Sequence, residues 1–127
     1  MPEAHARAWA KFKANAQAIA ALPAPLWGLR VVAIFYAALH LVSAYLATKG
    51  EAFQAQDHGA RRRAMKRSPE LRQAEGAYKL LQELSEAVRY DPNFDAGATD
   101  HQMALAQLAK VEAVVAPKLR GRGLTLL

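Results

Sequence analysis

The chain contains no cysteine. Disulfides, thiol nucleophiles and cysteine-ligated zinc are excluded, and the absence fits a reducing, cytoplasmic setting. β-Branched residues are scarce: Val, Ile and Thr together number 12 of 127. That is too few to stock a sheet, so an all-β fold is excluded. Acidic residues number 11 against 17 Lys and Arg, which leaves a net charge of +6. The imbalance favours contact with an anionic partner such as RNA, DNA, a nucleotide or a lipid surface. There is no glycine-rich phosphate loop and no G-x-S-x-G elbow, so those enzyme classes are excluded as well. The four histidines (His5, His40, His58 and His101) form no HxxxH or HExxH pair. No motif asks for a metal or a cofactor.

What the chain has in excess is alanine, 29 residues within a hydrophobic fraction of 53%. Alanine is the best helix former. The expected fold is all-α: an antiparallel up-and-down bundle of four main helices, with room for a short helix in the 51–67 connection. One domain is expected over 1–117, followed by a basic and apolar tail over 118–127.

Hydrophobic spacing places the helices. Trp9, Phe12, Ala16, Ile19 and Leu22 make one stripe on a helix over 3–22, which prolines 23 and 25 end. A helix over 26–48 is apolar nearly all round and closes at Gly50. Residues 51–57 read as loop and 58–67 as a short basic helix. Ser68-Pro69-Glu70 restarts the chain, with Ser68 as N-cap. The helix that follows runs to about Arg89, with Leu71, Ala74, Tyr78, Leu81, Leu84 and Val88 inward. Thr99 to Gln102 has capping-box spacing. The last helix, carrying Leu105, Leu108, Val111 and Val115, is expected to stop at Pro117.

Residues 31–48 are 18 uncharged residues, about 27 Å of helix, near the lower limit for a bilayer span. Five of them are alanine, and His40 at the midpoint is costly in lipid. The expected role is the central helix of a soluble bundle, and a membrane partner is not expected.

Three constellations could carry chemistry. Tyr36 and His40 share a helix face, either as a proton-transfer pair or as a hydrogen-bonded core pair. His58, Arg61 and Arg62 bring an imidazole beside guanidiniums. Such a group could hold phosphate and stabilise a pentavalent phosphorus while the imidazole accepts the 2′-hydroxyl proton. The alternative is a solvated basic segment. Six basic residues (Arg61, Arg62, Arg63, Lys66, Arg67 and Arg72) fall within twelve positions that hold one acid, Glu70. Of these, Arg62, Arg63, Lys66 and Arg67, together with Arg89, are the expected phosphate contacts. Arg89-Tyr90-Asp91 closes a helix, where Arg complements the helix dipole.

The run Phe35-Tyr36-Ala-Ala-Leu-His40-Leu-Val-Ser-Ala-Tyr45-Leu46, then His58-Gly-Ala-Arg61, then Tyr78, Leu81 and Arg89-Tyr90-Asp91, resembles the HEPN domain family over roughly residues 5–116. The resemblance implies a helical bundle of four to five helices, commonly a homodimer. It also implies RNA or nucleotide binding. Many members are metal-independent endoribonucleases of toxin or antiviral defence systems, while others bind nucleotides or serve as partner modules. The ribonuclease members place His four to six residues after Arg. Here nine residues separate Arg30 from His40, and eleven separate Arg89 from His101. That signature does not carry over, and the catalytic candidates, His58, Arg61 and His40, rest on their own spacing and chemistry. The other reading is a non-catalytic interaction subunit or antitoxin-like partner in a larger complex.

Overall fold

The computed structural model describes residues 2–20, 26–49 and 58–123, apart from the side chains at 16, 19 and 20. The expected proline stop at 23–25, the glycine stop at Gly50, the loop over 51–57 and the final residues 124–127 lie outside these. The described residues form five helices and no strand: α1 (Pro2–Ala20), α2 (Trp27–Thr48), α3 (His58–Arg67), α4 (Arg72–Tyr90) and α5 (Ala98–Gly121). The short basic helix of the connection is therefore formed, as α3.

Helix α2 is the hub, packing against α1, α4 and α5, while α3 rests on α4. Its side chains are apolar on almost every side, so each face needs a neighbour to leave water. Val31, Ile34, Phe35, Leu41, Val42, Tyr45 and Leu46 are all buried, together with Met65, Leu71, Tyr78, Leu81, Val111, Val115 and Leu119. By length and composition α2 could cross a bilayer, but 72% of its apolar window is buried inside the fold.

Contacts fix the helix directions. His5 meets His40 and Phe12 meets Tyr36, so α1 and α2 run oppositely. Gly28 meets Val88 and Phe35 meets Tyr78, so α2 and α4 also run oppositely. Trp27 meets His101 and Tyr45 meets Arg122, so α2 and α5 run the same way.

Three boundaries differ from the sequence expectation. Ser68 does not cap α4. Its N–H closes α3 on the Ala64 carbonyl (3.1 Å), and its own carbonyl accepts from Leu71 and Arg72. A tight turn over 68–71 results, and it drives Leu71 into the core. At α5 the cap lies two residues earlier than expected. Asp100 Oδ2 accepts the Gly97 N–H at 2.9 Å, placing an acid in the first turn where the helix dipole favours it. Pro117 does not stop α5, which continues to Gly121. Burial of Leu119 holds that last turn against the core, so residues 118–121 belong to the helix rather than to a tail. The α5 stripe is Ala104, Leu108, Val111, Val115 and Leu119, and Leu105 is exposed.

Candidate functional site

Two polar stripes break the apolar packing. On α2 they are Tyr36, His40 and Ser43; on α4 they are Tyr78, Gln82, Ser85 and Arg89. Steps of three and four residues keep each set on one helix face. The stripes meet where Arg89 reaches Tyr36 and where Arg61 of α3 bridges Ser43 and Tyr78, while His5 and Phe12 of α1 pack on His40 and Tyr36.

Arg61 is the centre of this cluster. Its side chain is buried. Nε donates to Ser43 Oγ at 3.2 Å, and Nη1 to Tyr78 Oη at 3.5 Å and to His58 Nδ1 at 3.3 Å. Arginine can only donate, so His58 Nδ1 is the acceptor in that contact. Phe35 packs beside His58 and Tyr78 and walls the cluster with hydrocarbon. Burial raises the Tyr78 hydroxyl above its ordinary pKa, while the Arg61 charge pulls it back down.

His40 faces the other way. Its Nδ1 lies 3.0 Å from His5 Nδ1, so one ring carries its proton there and donates to the other. Phe12 stacks on the His40 ring at 5.4 Å and 7°. Burial, then the charges of His5 and Arg61, push His40 down to about 4. His5 is lowered by burial first, then by the amino-terminal charge and by Arg61. Both imidazoles are therefore neutral at pH 7.

Arg89 closes the far end. Nε donates to the Ser85 carbonyl at 3.3 Å, and Nη1 to Tyr36 Oη at 3.3 Å and Tyr90 Oη at 3.2 Å. Buried Arg89 Nη2, Ser85 Oγ and Gln82 Oε1 have no hydrogen-bond partner among the described residues. Such atoms call for an external polar group, a solvent molecule or a ligand.

The structure thus brings His58 and Arg61 into contact, and places His40 within the electrostatic reach of Arg61. Arg62 sits 3.8 Å from Glu75 of α4, in a partly screened ion pair. Arg63, Lys66 and Arg67 are exposed. His5, Ser43 and Tyr78 were not singled out as site residues by the sequence reading. The spacing 36/40/43 on α2 and 78/82/85/89 on α4 is the signal that would have found the stripes. No group of three or more potential metal ligands occurs among the described residues. No protein-family model, curated protein or solved structure matches this chain.

Proposed function

We propose that this chain is a HEPN-like, RNA- or nucleotide-binding helical protein whose α3 is the phosphate-contacting element. The observation that carries the reading is the division of labour on α3. Arg61 turns inward to Ser43, Tyr78 and His58, while Arg63, Lys66 and Arg67 are exposed, as is Arg72 at the start of α4. None of these four exposed cations enters an ion pair among the described residues. A compact run of uncompensated positive charge beside a half-buried polar cluster suits a polyanion. The helix directions support reading the four long helices as an up-and-down bundle, with α3 in the long connection. The Arg61–His58 contact supports metal-independent cleavage as the chemistry: a guanidinium to hold the phosphate and an imidazole to take the 2′-hydroxyl proton.

The test is retention of labelled RNA at about 50 mM salt in a chelator, where electrostatic binding is strong. Wild type binds, and the triple variant Arg63→Ala, Lys66→Ala, Arg67→Ala binds far more weakly. Failure of the wild type to bind under these conditions overturns the reading. Cleavage products that disappear in a folded His58→Ala variant assign the endoribonuclease activity. Binding without cleavage makes the protein a binding module.

A second reading, a helical interaction subunit or homodimer, is favoured by one feature. A groove of about 320 Å³ lies between the start of α2 and the end of α4, lined by Leu26, Trp27, Leu29, Val88 and Phe94. Leu26 and Leu29 are exposed there. Co-purification of a stable partner, or a doubled mass by light scattering, with RNA ignored, would select it.

A further inference from the structure

Arg89 and Tyr90 are arranged in a way that the α3 phosphate surface does not use. Tyr90 is the last residue of α4 and is 72% exposed, an unusual position for a large ring. It is nonetheless held in place. The Arg89 guanidinium lies 4.9 Å from the Tyr90 ring centroid and 5.7 Å from that of Tyr36. One guanidinium nitrogen is shared between the two tyrosine hydroxyls. The turn after the helix is fixed too: Asp91 Oδ1 accepts the Asn93 N–H at 2.9 Å, and the Asp91 carbonyl accepts the Phe94 N–H at 3.1 Å. On the inner side Tyr36 is buttressed by Phe12, stacked at 5.6 Å.

The charge of Arg89 is met only by neutral groups. No carboxylate pairs with it among the described residues; its Nη2 is buried, and the edge that reaches the surface is Nη1, in the exposed hydrogen bond to the Tyr90 hydroxyl. A cation with no counter-charge, its Nη1 held only by two neutral hydroxyls beside an exposed and preoriented aromatic face, matches one pairing of ligand groups. These are an anionic oxygen and a flat ring a short tether away. A nucleotide carries both.

We propose that Arg89 and Tyr90 form a clamp for one unstacked nucleotide of a single-stranded RNA, with the phosphate on Arg89 and the base stacked on Tyr90. This rests on the RNA-binding reading above and adds strand state and a second contact point to it. A duplex keeps its base faces stacked inside and cannot offer one to Tyr90. A single strand can, and stacking on an exposed ring is tolerant of sequence.

The test uses the full chain and a fluorescein-labelled 12-nucleotide RNA, single-stranded or annealed to its complement, at about 50 mM salt. Anisotropy titrations should give tighter binding to the single strand. Tyr90→Ala should weaken it about tenfold, from the loss of one stacked base, and leave the duplex affinity unchanged. Tyr90→Trp should retain single-strand binding. Arg89→Gln should weaken single-strand binding as well. Tyr90 is exposed, so an unchanged melting temperature in Tyr90→Ala separates the effect from unfolding. Single-strand binding that is indifferent to Tyr90→Ala overturns the clamp and leaves the α3 surface standing. A wild type that binds neither RNA overturns both.

Discussion

At the scale of single residues, the His5–His40 contact has a defined pH signature. Both imidazoles are held below their ordinary value, His40 to about 4, chiefly by burial. In the unfolded chain each takes a proton near pH 6.5. Between these values the unfolded state binds more protons than the folded one, so stability falls as pH drops from about 6.5 toward 4. It is fully present above 6.5. Urea unfolding at pH 7.5 and pH 5 should show the loss, and His40→Gln should flatten the difference. An equal pH dependence in that variant would mean that other groups carry it. Arg61 makes a second case. It holds a hydroxyl on α2, a ring nitrogen on its own helix and a phenol on α4. Arg61→Ala should cost about 2–3 kcal/mol in urea unfolding, since the charged hydrogen bonds are lost and Tyr78 keeps a buried hydroxyl. Arg61→Lys should recover little, because a single ammonium cannot span the three acceptors as a planar guanidinium does.

At the scale of helices, the crossing of α2 and α4 depends on Gly28. A Cβ built there would lie 3.0 Å from Val88 Cγ1. Alanine would gain about 1 kcal/mol of helix propensity, but the squeezed contact costs about 1–3. Gly28→Ala is therefore expected to lower the melting temperature, and adding Val88→Ala should restore part of it; a rise in the single variant would refute the close crossing. Pro117 offers the opposite test. It sits inside α5 with no N–H to give the preceding turn. Pro117→Ala should raise stability by about 1–3 kcal/mol, read by urea unfolding. These two positions also show what the sequence could and could not reveal. The helix segments and the inward stripe of α4 were legible, because apolar periodicity is local information. The end of α3 was legible because Ser68-Pro69 breaks the helical pattern. The stop at Pro117 was not, because Leu119 gains burial that outweighs a local helix breaker. Nor was the Ser68 cap, since the same residue already ends α3. In the polar cluster, His58 beside Arg61 followed from their three-residue spacing. The acceptors Ser43 and Tyr78 did not, being 18 and 17 residues away from Arg61 in the chain. His5 lies 35 residues from His40, and only the opposed packing of α1 on α2 brings them together.

At the scale of the whole molecule, the +6 charge is unevenly spread. Several cations are already engaged: Lys13 with Glu112, Lys49 with Glu70 and Arg62 with Glu75, and Arg61 inside the polar cluster. Among the others, Arg63, Lys66, Arg67 and Arg72 fall within ten positions at α3 and the start of α4, and all four are exposed. Such a patch binds a polyanion by releasing condensed counterions, so its contribution must appear in the salt dependence and not only in the affinity. For a single strand each neutralised phosphate adds about 0.7 to the negative slope of log K against log salt. Replacing Arg63, Lys66 and Arg67 by alanine should therefore reduce the slope by about 2, from three lost contacts. Tyr90→Ala should lower the affinity at every salt concentration and leave the slope where it was, because stacking releases no counterions. Titrations of wild type, the triple variant and Tyr90→Ala between about 50 and 200 mM salt separate the two contributions. A slope that does not change in the triple variant would place the phosphate contacts elsewhere, on Arg89 or on the exposed Arg7 and Lys11 of α1.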